Sequence, residues 1–140
     1  MKSLSGKLGV ILFGFIIFGY AEVWGADWRL LGRDDEGIRY YDAEGITRPS
    51  KSIARVWTNW IYTEKGVTEV VRESGRKYEN LRNTLTLWEL NCSDKMMHVL
   101  QVTHYSSDGH TLLSVSRDTA KWEFIPPHSI TEALFKEICK

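Results

Sequence analysis

Cys92 and Cys139 are the only two cysteines of the 140-residue chain, and the character of its first residues decides what they can do. Lys2 and Lys7 give a positive start, and Leu8 to Phe18 is an almost unbroken apolar run. These are the charged and hydrophobic regions of a secretory leader. Glu22 interrupts the run before it reaches the roughly 20 apolar residues that a membrane-spanning helix needs. Small residues at the minus-three and minus-one positions fit cleavage after Ala21 or after Gly25. The chain is therefore expected to divide into a signal peptide, residues 1–25, and a single domain, residues 26–140. The leader has no cysteine to carry an acyl anchor, so the expected location is exported, in the periplasm, at the cell surface or secreted. Export places both thiols in an oxidising compartment, where an even count reads as a disulfide. A Cys92–Cys139 bridge closes a loop of about 48 residues, worth roughly 4 kcal/mol on the chain-entropy model. That is a large part of a small domain's stability margin.

The pattern after the leader is that of strands and turns. Glycines preceded by polar residues recur at Gly37, Gly45, Gly66, Gly75 and Gly109, and β-branched or aromatic residues fill the intervals. Trp28 to Leu31 and Ile38 to Asp42 read as short strands around an acidic turn, and Ile53 to Tyr62 as a longer one. From Thr84 to Cys92, Trp88, Leu90 and Cys92 share one face while Glu89 and Asn91 share the other, as in a half-buried strand. Met96 to Tyr105 and Thr111 to Ser116 then pair through Asp108-Gly109, a dipeptide that favours a two-residue hairpin turn. The polar stretch from Val67 to Leu81 predicts a helical turn plus loop.

After Pro126-Pro127, Ser129 with Glu132 three residues on forms a capping pattern for a terminal helix. Its apolar stripe, Ile130, Ala133, Leu134 and Ile138, lays it on the sheet with Cys139 near the end of the Cys92 strand. The expected fold is α+β, mainly an antiparallel β-sheet with a C-terminal α-helix packed on it and one disulfide.

Function classes can be narrowed by residue chemistry. The 18 basic residues balance the 18 acidic ones, which argues against a nucleic-acid or membrane-surface binder. His98 and His104 fall on one face of one strand, but six residues at about 3.3 Å hold them roughly 20 Å apart, too far to share an ion. His110, placed opposite Ser107 by a two-residue turn, is also out of reach. No Gly-x-Ser-x-Gly elbow or Cys-x-x-Cys occurs, and Asp34, Asp35 and Glu36 sit on an exposed turn that keeps carboxylates ionised. No catalytic residue, metal or cofactor is expected.

Two features remain for binding. Arg72, Arg76, Lys77 and Arg82 cluster in a polar stretch suited to a glycan or an acidic protein patch, although Glu69, Glu73 and Glu79 dilute the charge. Trp28, Trp88 and Trp122 stand in apolar patterns and read as core. Trp57 and Trp60 fall on opposite faces of their strand, so one of them is expected to face outward as an interface anchor. The alternative use of that ring is self-association into a homodimer.

Several ordered motifs carry a resemblance. They are Trp28-x-x-Leu31, Gly37-x-x-Tyr40-Tyr41-Asp42, Val56-Trp57, Trp88-Glu-Leu-Asn-Cys92 and Tyr105-x-x-Asp108-Gly109, closing with Trp122-x-x-Ile-Pro-Pro, Ser129-x-x-Glu-Ala-Leu and Cys139. Together they resemble the surface-adhesin protein E-like proteins of Gram-negative bacteria across essentially the whole mature chain. The resemblance implies a small antiparallel sheet with a C-terminal helix and, for the family's named member, adhesion to host matrix proteins. The expected function is a non-catalytic binding module for a protein or glycan partner, extracellular matrix included. The alternative is a periplasmic structural or envelope-assembly protein on the same fold. An exposed aromatic beside the basic stretch would favour the first, and a basic stretch without one the second.

Overall fold

The computed structural model describes residues 26–117 and 121–140. The expected leader and its cleavage sites lie outside them. Seven strands form one antiparallel sheet: β1 (Trp28–Asp34), β2 (Gly37–Asp42), β3 (Ile53–Tyr62), β4 (Leu81–Asn91), β5 (Met96–Ser106), β6 (Thr111–Ser116) and the two-residue β7 (Glu123–Phe124). The first six follow chain order across the sheet, and β7 pairs with β5. Among the described residues two helices accompany them, α1 (Glu64–Ser74) and α2 (Ile130–Ile138), with a 3-10 turn at Arg76–Tyr78. This is the α+β architecture expected from the alternation and the capping pattern.

The core lies between α2 and one end of the sheet. Leu134 and Ile138 of the helix meet Tyr41, Ala54, Val56 and Leu90, with Trp88, Leu31 and both cysteines packed around them. Leu90, Leu134 and Val56 are fully buried, and each contributes roughly 1.5–3 kcal/mol of transfer free energy. The Cys92–Cys139 disulfide, with a Cα–Cα distance of 5.4 Å, fixes the helix end to the loop that follows β4. At the helix start the Ser129 hydroxyl accepts from the Glu132 amide at 3.1 Å, and the Glu132 carboxylate accepts from the His128 amide at 3.2 Å. The reciprocal cap therefore reaches back one residue further than the simple pattern.

The polar stretch read as a turn plus loop is a three-turn helix. Thr63 caps α1 by accepting from the Gly66 amide at 3.2 Å. Val67, Val70 and Val71 give the helix a half-buried stripe. Gly66 sits so close to the β1–β2 turn that a Cβ would come within 2.0 Å of the Glu36 carbonyl oxygen. Beyond α1, Tyr78 is buried with its ring edge-on to His104 at 5.3 Å. Thus α1 and the 3-10 turn close one end of the same sheet face that α2 closes at the other.

Two local geometries depart from the sequence expectation. The β5–β6 connection runs over four residues, Ser107 to His110, in which the Ser106 amide donates to the His110 carbonyl at 2.8 Å and only Gly109 has a positive φ, 85°. Leu100 is an extra residue in β5, because Leu87 pairs with Gln101 while Trp88 pairs with Val99. That bulge exchanges the faces of everything beyond it.

Candidate functional site

Strand pairing assigns each residue to a face. Tyr41, Thr58 and Thr86 lie in one row on the helix-bearing face, and Arg39, Trp60 and Thr84 in the next. The opposite face carries Tyr40, Asn59 and Leu85 in one row, with Trp57 and Leu87 paired beside them. Trp28 and Leu30 extend this second face onto edge strand β1, opposite Asp42 and Tyr40.

Trp57 and Trp60 therefore do lie on opposite faces. Trp60 is roofed by the Arg39 guanidinium, 4.0 Å from its ring, and flanked by Tyr62 at 4.3 Å. Its Nε1–H points at the backbone around Gly37 and finds no acceptor among the described residues. This half-buried tryptophan belongs to the helix-bearing face. Trp57 is half-buried on the other face, which among the described residues carries no helix.

That open face carries a continuous set of partly exposed apolar residues. Its centre, formed by Tyr40, Trp57, Leu85, Leu87 and Gln101 with buried Thr103, is uncharged, and charge appears toward its ends, at Arg33, Asp42, Arg55 and Glu89. Leu30, 55% exposed, and Trp28, 38% exposed, form its rim on β1. Trp28 is not a core residue as its pattern suggested, because it begins the edge strand, which has a neighbour on one side only. An uncharged, aromatic-centred patch with charge at the rim has the anatomy of a protein-contact surface.

The basic residues do not assemble beside this surface. Arg72, in the last turn of α1, is ion-paired with Glu69. Lys77 lies over the Tyr78 ring at 5.1 Å, and Tyr78 is buried. Arg76 is exposed on the 3-10 turn, and exposed Arg82 is the extra residue of a bulge at the start of β4. Arg82 is five positions along β4 from Leu87, the partner of Trp57, or about 16 Å at strand rise. Among the described residues, no aromatic side chain beside the basic stretch is exposed. Phe124, 76% exposed, belongs to β7 at the other end of β5.

The polar groups form small closed networks. Glu89 accepts from Arg55 Nε at 2.6 Å and lies 2.7 Å from His98 Nε2, and the His98 ring stacks on Trp122 at 4.1 Å. Burial opposes the Glu89 charge, but the bonds from His98 and Arg55 outweigh it and hold the carboxyl below its ordinary value. On the other face the Thr84 hydroxyl is bonded to Tyr62 Oη at 2.9 Å and His104 Nδ1 at 2.7 Å. Burial, reinforced by the Lys77 charge, lowers the His104 pKa. The Leu100 bulge puts His98 and His104 on opposite faces, whereas an unbroken strand would have put them on one. Among the described residues no group of three His, Cys, Asp or Glu side chains could hold a metal ion. No described helix is long and apolar enough to cross a membrane.

Sequence reasoning missed Leu30, Tyr40, Leu85 and Leu87. A signal was present, since the apolar positions of β4 change parity, from Leu85 and Leu87 to Trp88 and Leu90. Such a switch means that each end of the strand offers its apolar side to a different face.

The model of the family described as surface-adhesin protein E matches residues 28–140. No curated protein matches the chain. No solved structure matches it.

Proposed function

The chain belongs to the surface-adhesin protein E family, and from that premise we propose that it is an exported, non-catalytic module that binds a protein partner through the open face of its sheet. The observation that carries this reading is the continuity of exposed Leu30 and Trp28 with uncharged Tyr40, Trp57, Leu85 and Leu87 on a face that neither helix covers. Aromatic anchors at the centre of such a patch dominate interface energetics, while rim charges chiefly tune association rate. The partner is of the class that a surface adhesin meets, host extracellular matrix protein. The basic residues Arg72, Arg76, Lys77 and Arg82 play a secondary steering role.

The test is binding of the purified oxidised protein to immobilised matrix proteins. Leu30→Asp and Trp28→Ser alter exposed rim positions, so both variants should fold normally; Leu30→Asp should lose at least about tenfold in affinity because binding would bury an unpaired carboxylate, and Trp28→Ser several-fold. Unchanged affinity in both would remove the open face as the contact.

One observation favours a second reading, a periplasmic envelope-assembly protein: the basic stretch has no exposed aromatic beside it. Protease treatment of intact cells separates the two. Cleavage on the surface supports adhesion, whereas resistance combined with release by osmotic shock supports the periplasmic role.

A further inference from the structure

On the helix-bearing face, between α2 and the 3-10 turn, the sheet floor is left partly uncovered. A cavity of about 190 Å³ opens there, walled by Leu31, Trp60, Trp88, Ile130 and Leu134, with Arg39 at its flank. Four threonines, Thr58, Thr84, Thr86 and Thr131, also line it. Two of their hydroxyls are committed within the protein. Thr58 Oγ1 accepts from Trp88 Nε1 at 2.9 Å, and Thr84 Oγ1 is held by Tyr62 and His104.

The other two are not. Thr86 is 9% exposed and Thr131 6%, yet neither hydroxyl has a hydrogen-bond partner among the described residues. Neither is sealed away as a buried orphan, since the Trp60 indole nitrogen alone is in that state among the described residues. Both residues line the cavity, and both hydroxyl oxygens keep some accessible surface. Buried polar groups are normally satisfied, so a pair left open in one apolar cavity is available to a partner from outside.

Arg39 supplies the charge. One of its nitrogens, Nη1, is bonded to Asp34 at 2.8 Å, and the guanidinium carries five N–H donors, so donors remain for a second anion. Its plane is held against Trp60, and its side chain is only 17% exposed, which limits competition from water. The volume is below the roughly 300–1,000 Å³ of pockets that hold drug-sized ligands, so the occupant is a fragment about the size of one large side chain.

We propose that this cavity binds a carboxylate-bearing apolar group, its apolar body between Trp60, Trp88 and Leu134, its carboxylate on Arg39 and a further polar atom on the Thr86 and Thr131 hydroxyls. The C-terminal apolar residue of a peptide has this chemistry, with its amide as the further polar atom. A free small aromatic acid shares the carboxylate and the body but lacks the amide. The site is on the opposite side of the sheet from the open face and stands or falls independently of it.

The experiment is titration of the ¹⁵N-labelled, oxidised protein with N-acetylphenylalanine, N-acetylphenylalanine amide and 3-phenylpropionate, following indole and backbone signals by NMR. N-acetylphenylalanine should shift the Trp60 and Trp88 indole signals at millimolar concentration, and its amide should bind about tenfold or more weakly because the charge-assisted bonds to Arg39 are lost. Thr131→Val and Thr86→Val are close in shape but remove the hydroxyls, and each should weaken binding several-fold while leaving the spectrum folded. If 3-phenylpropionate binds several-fold more weakly than N-acetylphenylalanine, the source is a peptide end. If the two are equal, it is a free acid. The proposal is overturned if the amide binds as well as the acid, or if none of the three shifts the Trp60 and Trp88 signals.

Discussion

Glu89 Oε1 and His98 Nε2 face each other 2.7 Å apart across β4 and β5, on a carboxylate that also holds Arg55. A carboxyl whose pKa is lowered by folding contributes stability that is present above its unfolded value, 4.5, and is lost as pH falls through the folded value. His104, lowered from 6.5 by burial and by Lys77, acts with the same sign, because the unfolded chain takes up its proton first. Melting temperature should therefore fall in two stages, beginning below about pH 6.5 and steepening below about 4.5. Glu89→Gln should lower stability by about 1–3 kcal/mol at neutral pH and flatten the second stage. His104→Gln should flatten the first. Thermal unfolding between pH 3 and 8 checks both, and an unchanged acid slope in Glu89→Gln would show that the carboxylate is not what acid attacks.

Opening the disulfide should cost roughly 4 kcal/mol on the chain-entropy model and should be felt first by α2. Urea unfolding of the oxidised protein against a Cys92→Ser/Cys139→Ser variant measures the cost. Hydrogen exchange should show Leu134 to Ile138 losing protection before the strands do. Uniform loss across the sheet would mean that the bridge stabilises the whole domain and not the helix dock.

Leu134→Ala empties the centre of the helix–sheet contact and should lower stability by about 2–5 kcal/mol. Gly66→Ala acts differently, because its methyl group would come against the Glu36 carbonyl and force α1 away from the β1–β2 turn. A loss of about 1–3 kcal/mol is expected, with chemical-shift changes concentrated in residues 34–37 and 64–68. Gly66→Ala at wild-type stability would mean that α1 does not depend on that close approach.

Reversing charge with Arg76→Glu/Lys77→Glu should reduce partner affinity only modestly, about two- to fivefold, and mainly through association rate. The effect should shrink at high salt, since exposed charges are screened over a few ångströms there. Surface-plasmon measurements at two ionic strengths check this. A loss larger than that of Leu30→Asp would move the contact from the open face to the basic stretch.

Much of this architecture can be read from the chain. Ile53–Tyr62 is a strand over the residues that its β-branched and aromatic content indicates, and Ser129 caps the terminal helix as its spacing to Glu132 requires. Such signals are local, and here the tertiary packing agrees with them. What the chain conceals depends on partners. The Leu100 bulge exists only as a mismatch between two strands, and with it goes the face on which His104 lies. The helix α1 is hidden because Gly66 has poor intrinsic helix propensity and only three valines form its stripe; its place is secured by the Thr63 cap and a close contact with a turn some thirty residues earlier. Trp28 illustrates the limit for site residues, since an apolar pattern does not say whether a strand is central or at the edge. The cavity was illegible for the same reason: Thr86 and Thr131 look like ordinary polar residues until the helix is set over the strand.

From β1 to β6 the strands stand in the sheet in the order in which the chain runs, each bonded to its sequence neighbours. No connection has to pass across another, so lengthening one bend leaves every rung of the ladder intact. The exposed bend at Ser107 to Gly109 is far from the disulfide and belongs to neither broad face. A short epitope spliced between Asp108 and Gly109 would ride there as a passenger, giving antibodies a handle on living cells without disturbing the open face or the cavity.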